Sequence, residues 1–326
     1  MKKEQVLIGL SGGVDSSVAV LLLQEQGYEV VGAHFLVNKS SGSLKKATEI
    51  AKKLKIKLCV MQTQDLFKER VVDKFIAEWK KGLTPNPCVF CNLEFKTDVL
   101  FALAKDLGIE KIATGHYVQK IDGFLHRAKD LSKDQTFFLS RLTKDLVKNM
   151  IFPLGSYQKD EVRKIAKDRL GIEFDSESQD LCFVDGDIKD FLKNELEVRN
   201  GEIRHFKTKE LLDTHDGSCN FTIGQRAKIS GQAEPLFVKN IQGDTVFVSN
   251  NEDLFTKEML IRDISWYNFE PQGEVFVQVR HRSTSVKSLI KGEKITFFNK
   301  VRAVTPGQSV AIYSEEILIG GAVIKK

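Results

Sequence analysis

Apolar and polar positions in the first half of the chain follow two alternating periodicities. Short apolar runs predict strands, and longer segments in which apolar residues recur every three or four positions predict helices. The predicted strands cover residues 5–10, 28–35, 56–61 and 109–114. The predicted helices cover residues 16–26, 44–54, 65–80, 95–107 and 159–170. This βαβα order predicts an α/β fold with a doubly wound parallel sheet and helices on both faces.

Beyond about residue 200 the pattern changes to short strand-like runs separated by Gly, Asn or Pro. These runs cover residues 235–240, 245–249, 274–280, 294–298 and 309–313. Their spacing is typical of an all-β sandwich or barrel. We therefore expect three domains, which comprise residues 1–197, a small central domain at residues 198–250, and a β-domain at residues 251–326.

The composition places the chain in a broad class. Of 326 residues, 42% are apolar and 29% are charged, which is ordinary for a soluble globular protein and excludes disordered or collagen-like chains. No apolar run approaches the roughly 20 residues that span a bilayer, and no signal-peptide pattern precedes the first strand. We therefore expect a cytoplasmic protein with no membrane partner. The odd number of cysteines, five, argues against a disulfide framework.

The net charge is mildly positive, at +5. Basic residues concentrate between positions 275 and 302, where seven Lys or Arg residues accompany one Glu. Strand alternation puts Arg280 and Arg282 on one face of the predicted sheet. This stretch is either a nucleic-acid contact or a solvated edge of the sheet, and the sequence leaves both interpretations open.

A glycine-rich turn joins the first predicted strand to the first helix. It has the sequence Ser11-Gly12-Gly13-Val14-Asp15-Ser16-Ser17. Its glycines permit close approach of a ligand, and the amides at the following helix N-terminus form an anion cradle. Asp15 would repel a phosphate unless it acts through Mg²⁺ or caps the helix. The alternative is a plain glycine turn with Asp or Ser as the N-cap.

The glycine-rich turn resembles the phosphate loop of the ATP pyrophosphatase, or PP-loop, superfamily. These enzymes cleave ATP between the α and β phosphates and adenylate an oxygen of their substrate. The Walker A and G-x-G-x-x-G patterns are both absent from the turn.

Three cysteines form a second candidate site. Cys88 and Cys91 follow two prolines, which predict a rigid, non-helical segment over residues 84–92, and Cys182 lies about ninety residues later. A lowered thiol pKa is expected near a helix N-terminus or a cation such as Lys96. A single C-x-x-C does not complete a four-cysteine zinc site, and three unrelated cysteines remain an alternative.

Seven short segments in order resemble the bacterial tRNA-specific 2-thiouridylases, the MnmA/TrmU family, over essentially the whole chain. The segments are SGGVDSSV, TPNPCVFCN, ATGHY, KDQTFFL, SQDLCF, TIGQR and AVTPGQS. The resemblance implies a PP-loop catalytic domain, a small central domain and a C-terminal β-barrel. It also implies ATP-dependent replacement of oxygen by sulfur at C2 of the wobble uridine of tRNAs for Lys, Glu and Gln. The implied cofactors are ATP and Mg²⁺, and the implied partners are tRNA and a sulfur donor protein, either a cysteine desulfurase or a sulfur relay protein.

The resemblance also implies roles for individual residues. ATP would be bound by Gly9, Leu10, Ser11, Gly12, Gly13, Val14, Asp15 and Ser16, with Phe35 and Gly115 beside the nucleotide. Asn86, Pro87 and Cys88 would line the target base. Cys91 would be the catalytic nucleophile and Cys182 the catalytic persulfide carrier. Contacts with tRNA would come from His116, Lys133, Asp134, Gln135, Arg280, His281 and Gln308.

Two mechanisms remain open at this point. Many family members have Asp at the position of Cys88, so the acid–base role of that residue is unassigned here. In the first mechanism, a persulfide on Cys182 supplies sulfur and a Cys91–Cys182 disulfide remains. In the second, Cys88, Cys91 and Cys182 hold a [4Fe–4S] cluster whose fourth iron binds sulfide.

Two broader functional alternatives also remain. One is another PP-loop enzyme, such as a cytidine thiolase or an amide-forming synthetase. The other is a non-catalytic tRNA-binding module with a metal-bound C-x-x-C. A synthetase would not need Cys91 and Cys182, and an intact phosphate loop argues against a non-catalytic module.

Overall fold

The computed structural model describes residues 3–38, 42–172, 181–184, 186–232, 234–267 and 270–325. Within these ranges, no helix has the length and apolar character needed to cross a membrane. The segment that contains Ser178, Gln179 and Asp180 of the SQDLCF motif lies outside the described residues, whereas Cys182 lies inside them.

The N-terminal domain is built on a parallel sheet. The strands up to residue 151 are β1 (Gln5–Gly9), β2 (Glu29–Leu36), β3 (Lys57–Gln62), β4 (Lys111–Ala113), β5 (Gln119–Ile121), β6 (Phe124–His126) and β7 (Met150–Ile151). The α-helices are α1 (Val14–Glu25), α2 (Gly42–Lys53), α3 (Gln64–Phe67), α4 (Lys74–Lys80), α5 (Pro87–Cys91), α6 (Thr97–Asp106), α7 (Lys144–Lys148), α8 (Lys159–Leu170) and α9 (Ile188–Glu195). The parallel strand order is β3-β2-β1-β4-β7.

Both faces of this sheet are covered by helices. Along β1, Val6 and Ile8 point toward a core that includes residues of α1, α2 and α8. Leu7 points the opposite way, into a core shared with α6. A strand buried on both faces is an almost continuous apolar run, as β1 is. The predicted doubly wound α/β fold is therefore confirmed.

The segment around the two cysteines differs from its prediction. It was expected to be non-helical, but α5 begins at Pro87, and the Asn86 side chain caps it by accepting a hydrogen bond from the Cys88 amide at 3.1 Å. A π-helical segment, Asn92–Lys96, then joins α5 to α6 without a break. Proline ends a helix only from its interior; at the first helical position its fixed φ favours initiation. Cys88 and Cys91 therefore lie on a helix.

The rest of the chain is β-rich. Its strands are β8 (Gly201–His205), β9 (Leu211–His215), β10 (Arg226–Ala227), β11 (Leu236–Gln242), β12 (Thr245–Ser249), β13 (Phe255–Trp266), β14 (Glu274–Gln278), β15 (Val286–Lys291), β16 (Lys294–Arg302), β17 (Ser309–Ser314) and β18 (Ile317–Ile324). The central sheet has the order β10-β11-β12-β8-β9. The C-terminal strands run antiparallel in the order β13-β16-β15-β14-β17-β18. Strand β13 also pairs with β18, which closes the sheet into a barrel. Of the predicted sandwich or barrel, the barrel is therefore confirmed.

The barrel and the N-terminal domain share a sheet. The hairpin formed by β5 and β6 comes from the N-terminal domain, yet β6 pairs with β18 of the barrel through Leu125 and Leu318. The sequence pattern missed β13 and β18 altogether. Strand β18 carries two adjacent glycines, which weaken a strand pattern. The domain boundaries at residues 197 and 250 stay predictions.

The expected shared face for Arg280 and Arg282 was wrong. Strand β14 ends at Gln278, before either residue. Both arginines lie in the turn that follows, and Arg282 has a φ of 65°. Side chains two residues apart share a face only within a strand. Because both arginines lie outside β14, the alternation does not place them on one face.

Candidate active site

The glycine-rich turn at the end of β1 keeps the first amides of α1 clear of side-chain caps. Gly13 is the N-cap and has no side chain that could cap the helix, and its own amide donates to Ser11 Oγ at 3.3 Å. Ser16 and Ser17 hydroxyls instead donate to the Gly13 carbonyl at 3.1 and 2.8 Å, and Ser11 Oγ lies 3.1 Å from Ser16 Oγ. The interpretation as a plain turn capped by Asp or Ser is therefore wrong. The arrangement is that of an anion cradle at a helix N-terminus.

Asp15 lies in the first turn of α1, where it does not cap the helix but forms hydrogen bonds with two other side chains. Its two carboxylate oxygens accept hydrogen bonds from Lys159 Nζ at 2.7 and 2.8 Å, and Oδ1 also accepts from the Tyr117 hydroxyl at 2.7 Å. Lys159 was not identified from the sequence. It is the first residue of an amphipathic helix, a position at which lysine is ordinary in a sequence. Only its low exposure, at 9%, distinguishes it from a surface lysine.

The end of β4 lies against the same turn. A Cβ added to Gly115 would stand 3.2 Å from the Ser16 amide nitrogen, so the absence of a side chain allows this close approach. Phe35, at the end of β2, packs edge-to-face on Phe95 with ring centroids 5.8 Å apart. Both positions lie at the carboxyl ends of parallel strands, where this class of sheet binds ligands.

Cys91 and Cys182 are held by one aromatic core. Cys91 is buried at 5% exposure among residues that include Phe67, Phe75 and Phe95. Cys182 itself is exposed, but its neighbour Phe183 packs on Phe75 and Phe67 with ring centroids 5.5 and 6.0 Å apart. The two cysteines, about ninety residues apart in the chain, are thereby brought to the same part of the domain.

The thiols are less acidic than the sequence suggested. Burial raises the pKa of Cys91 to about 12, against an opposing effect of Lys96. Desolvation also raises the pKa values of Cys88 and Cys182, whose side chains are both exposed. Lys96 acts in the expected direction on all three thiols, but it is outweighed. The expectation of lowered thiol pKa values was therefore wrong for this state of the protein.

Lys96 and His116 are two further titratable residues that interact electrostatically with this part of the site. Desolvation lowers the pKa of Lys96, although its side chain is exposed, and the neighbouring Cys91, Cys88 and Cys182 raise it by more, so that the net shift is upward. Burial, aided by Lys96, lowers the pKa of His116 to about 3, so the imidazole is neutral at physiological pH. His116 Nδ1 lies 2.8 Å from Thr114 Oγ1. His116 follows Gly115 in the chain, so this cluster adjoins the glycine-rich turn.

The predicted tRNA contacts at residues 133–135 have different surroundings. Asp134 is 9% exposed and accepts hydrogen bonds from the Ala128 amide and the Thr136 hydroxyl, besides an ion pair with Arg127 at 3.1 Å. Gln135 Oε1 accepts from the Tyr117 amide at 3.0 Å. These two side chains are engaged inside the protein. Their assigned role in tRNA contact stays a prediction.

The remaining predicted contacts come from the barrel. The His281 ring packs against Phe138 with ring centroids 4.3 Å apart and a tilt of 43° between the planes, and Arg280 Nη2 donates to the Ala303 carbonyl at 3.2 Å. A cavity of about 250 Å³ is lined by Arg280, Thr305 and Gln308 on one side and by residues 222–225 on the other. The TIGQR segment and the TPGQ turn, which are far apart in the sequence, thus share one cavity.

A metal site or iron–sulfur cluster at the cysteines would need several ligand side chains close together. Over the described part of the chain, no group of three or more His, Cys, Asp or Glu side chains is placed to hold a metal ion. Cys88, Cys91 and Cys182 are all described, so their placement gives the [4Fe–4S] alternative no support. All five cysteines are free thiols in this structure.

Comparison with known proteins gives consistent matches along the whole chain. The family model described as tRNA methyl transferase HUP domain matches residues 4–186. The tRNA methyl transferase PRC-barrel domain matches residues 189–250, and the aminomethyltransferase β-barrel domain matches residues 256–324. These three matches agree with a parallel-sheet domain, a central domain and a closed barrel.

Individual relatives cover nearly the full length. The tRNA-specific 2-thiouridylase MnmA of Leptospira biflexa serovar Patoc is 37% identical over 360 residues, covering 100% of this chain and 94% of the relative. The protein of the same description from Aquifex aeolicus is 36% identical over 358 residues, covering 99% of each. A solved structure, a predicted tRNA methyltransferase subunit from Methanocaldococcus jannaschii, covers 50% of this chain and 75% of its own, with 22% identity and a TM-score of 0.34.

Proposed function

Because this chain belongs to the MnmA family of tRNA-specific 2-thiouridylases, we propose that it uses ATP and a cysteine persulfide to thiolate C2 of the wobble uridine in tRNAs for Lys, Glu and Gln. The chain is a tRNA-uridine 2-sulfurtransferase. The observation that supports this mechanism is the proximity of the glycine-rich turn to the cysteines. Gly115 abuts the anion cradle at Ser16, and the next residue, His116, lies in the field of Lys96, which also acts on the three thiols.

The first step activates the base. The C2 oxygen of uracil attacks the α-phosphorus of ATP, pyrophosphate leaves, and the oxygen becomes part of an AMP leaving group. Residues 11–16 bind the phosphates through backbone amides at the N-terminus of α1. Mg²⁺ would accompany the triphosphate and offset its charge. Asn86, Pro87 and Cys88 line the target base in this proposal.

The second step transfers sulfur. The terminal sulfur of a Cys182 persulfide, loaded by a cysteine desulfurase or a sulfur relay protein, attacks C2 and AMP leaves. The Cys91 thiolate then attacks the Cys182 sulfur, and the S–S electron pair passes to the sulfur on C2. The products are the 2-thiouridine and a Cys91–Cys182 disulfide, which a cellular dithiol reduces. Because burial raises the pKa of Cys91, the positive charge of Lys96 is needed to favour its thiolate.

Nucleoside mass spectrometry of tRNA from cells that lack the protein tests the reaction. Loss of 2-thiouridine derivatives, restored by the wild-type gene, is expected. Unchanged amounts would contradict the proposed function. Asp15→Ala and Ser11→Ala should abolish ATP-dependent pyrophosphate release while tRNA binding persists.

Cysteine variants test the route of the sulfur. Cys91→Ser and Cys182→Ser should abolish thiolation, whereas Cys88→Asp should retain substantial activity. Cys59→Ser is the matched control, because Cys59 lies on β3 and has no assigned role in the reaction. Activity restricted to iron-loaded protein, and lost on chelation, would contradict the persulfide route in favour of a cluster.

A further inference from the structure

A buried histidine lies behind the glycine-rich turn. His34 is in β2, where Val30, Val31 and Ala33 are also buried, and its side chain is 3% exposed. An imidazole among these apolar residues needs hydrogen bonds to offset its loss of solvent. The partners of its two ring nitrogens therefore show what this side chain holds in place.

Both ring nitrogens of His34 have partners. Nδ1 lies 2.8 Å from the Leu10 carbonyl oxygen, and Nε2 lies 3.4 Å from Ser43 Oγ. A carbonyl oxygen only accepts hydrogen bonds, so Nδ1 carries a proton and donates it to Leu10. Leu10 is the residue before the glycine-rich turn, and Ser43 is the second residue of α2. The imidazole thus joins the entry of the turn to the start of a helix.

The hydrogen bonds between β1 and β2 change character at Leu10. The Leu10 amide still donates to the Ala33 carbonyl at 2.8 Å, in continuation of the parallel ladder. Among the described residues, the donor to the Leu10 carbonyl is the His34 side chain and not a backbone amide of β2. His34 therefore fixes the orientation of the peptide that joins Leu10 to Ser11.

This orientation decides where the first amide of the glycine-rich turn points. The described residues contain no cis peptide bond, and in a planar trans peptide the carbonyl and the following N–H point in opposite directions. Because the Leu10 carbonyl points toward His34, the Ser11 amide points away from it. In the described part of the chain, the Ser11 amide has no acceptor. It is therefore available to donate to a ligand in the turn.

Helix α2 packs closely on the same turn. A Cβ added to Gly12, which has a φ of 81°, would stand 2.5 Å from the Ala47 amide nitrogen and 2.7 Å from Lys46 Cβ. The helix therefore bounds the glycine-rich turn on one side, and the contact of His34 with Ser43 lies at the beginning of that helix. His34 is thus fixed between two elements that both contact the turn.

We propose that His34 is a positioning residue for the glycine-rich turn, which holds the peptide between Leu10 and Ser11 so that the Ser11 amide faces a phosphate of bound ATP. The proposal rests on the proposed function, because it assumes that the turn binds ATP. Both ring nitrogens are engaged by the protein, so the imidazole acts through Ser11. Without it, the Leu10 carbonyl regains a hydrogen bond by turning toward solvent, and the Ser11 amide turns away from the phosphate.

The ATP dependence of pyrophosphate release by the full chain, measured with saturating tRNA and Mg²⁺, tests this role. His34→Phe keeps a ring but has no donor, and it should raise the KM for ATP about tenfold, the usual effect of losing a hydrogen bond to a charged group. His34→Asn carries an amide at the position of Nδ1 and should stay within about threefold of the wild-type KM. His34→Gln extends its amide toward Ser43 and should resemble His34→Phe.

The matched control is His215→Phe. His215 is also buried, at 9% exposure, and its Nε2 lies 3.0 Å from the Asp244 carbonyl in the central sheet. This variant loses a comparable hydrogen bond outside the parallel-sheet domain and should leave the KM for ATP unchanged. Circular dichroism and tRNA binding show whether each variant has folded.

The comparison of the His34 variants separates positioning from a general contribution to the fold. A folded His34→Phe variant with the wild-type KM for ATP would overturn the proposal. A KM for His34→Gln no higher than that for His34→Asn would also overturn it, and this pair decides the question if His34→Phe does not fold. An equal rise in the KM for ATP in His215→Phe would show a general loss of structure and overturn it as well. A wild-type chain without ATP-dependent pyrophosphate release would instead contradict the proposed function.

Discussion

Gln308, in the turn before β17 of the barrel, donates a hydrogen bond from Nε2 to the carbonyl of Thr84 at 2.8 Å. The Thr84 amide in turn donates to the Pro306 carbonyl at 2.9 Å. Gly307 fits between them because a Cβ there would stand 2.8 Å from Leu83 Cβ. The barrel thus holds the segment that leads directly into α5 and its cysteines.

We expect Gln308→Ala to loosen this segment. Loss of one intramolecular hydrogen bond costs about 1 kcal/mol, so amide hydrogen exchange over residues 84–91 should become faster. Hydrogen-exchange mass spectrometry is the measurement, with Gln272→Ala, at an exposed position, as the matched control. Unchanged exchange in Gln308→Ala would show that the barrel turn does not restrain the cysteine helix.

Asp134 should matter more for stability than its polar loop suggests. Its ion pair with Arg127 is buried, with side-chain exposures of 7% and 15%, and the guanidinium also stacks 3.8 Å above the Tyr313 ring. Asp134→Ala removes the buried partner of the Arg127 guanidinium, which keeps only the exposed Glu316 at 3.6 Å. The substitution should therefore cost about 3 kcal/mol in the free energy of unfolding.

The matched control is Asp98→Ala, which breaks the exposed ion pair with Arg70 and should cost less than about 1 kcal/mol. Denaturant unfolding of the two variants, monitored by a spectroscopic signal of the N-terminal domain, measures the loss of unfolding free energy in each. Equal costs would mean that the buried network contributes no more than a surface pair.

The thiol reactivity of Cys91 should depend on pH and on Lys96. Since burial raises the pKa of Cys91 to about 12, thiolate is a minor species at pH 8, and the rate of alkylation should still be rising at pH 10. Lys96→Met removes the cation that favours the thiolate and should slow alkylation further. Lys96→Arg keeps the positive charge and should not slow alkylation.

Peptide mass spectrometry after timed exposure to iodoacetamide measures this rate for Cys91 alone. A rate that levels off below pH 8 would contradict the raised pKa. A rate that is unaffected by Lys96→Met would contradict the role of the lysine.

Arg282 should contribute to tRNA affinity through charge. It is exposed on the turn after β14. Arg282→Ala should weaken tRNA binding and reduce the slope of log affinity against log salt by about 1. Lys287→Ala is the control, because Lys287 is already paired with Glu274 at 2.5 Å. Equal slopes for Arg282→Ala and the wild type would identify the turn as a solvated surface.

The local pattern of the sequence determined much of the architecture. The burial of β1 on both faces and the alternation of strands and helices follow from apolar periodicity, which operates over a few residues. The helix from Lys159 to Leu170 was predicted to its exact ends because Gly171 closes it in the left-handed conformation, with a φ of 55°. The order of the seven short segments was sufficient to identify the family.

Other properties were decided only by the tertiary structure, because they depend on groups that are distant in the sequence. The pairing of Asp15 with Lys159 joins residues 144 positions apart, and no local pattern distinguishes that lysine from a surface one. The pKa of Cys91 depends on burial among aromatic residues from several helices, and this burial outweighs the opposing effect of Lys96, the one nearby cation visible in the sequence. Burial and long-range charge are properties of the packed molecule, so these features of the site appear only once the chain has folded.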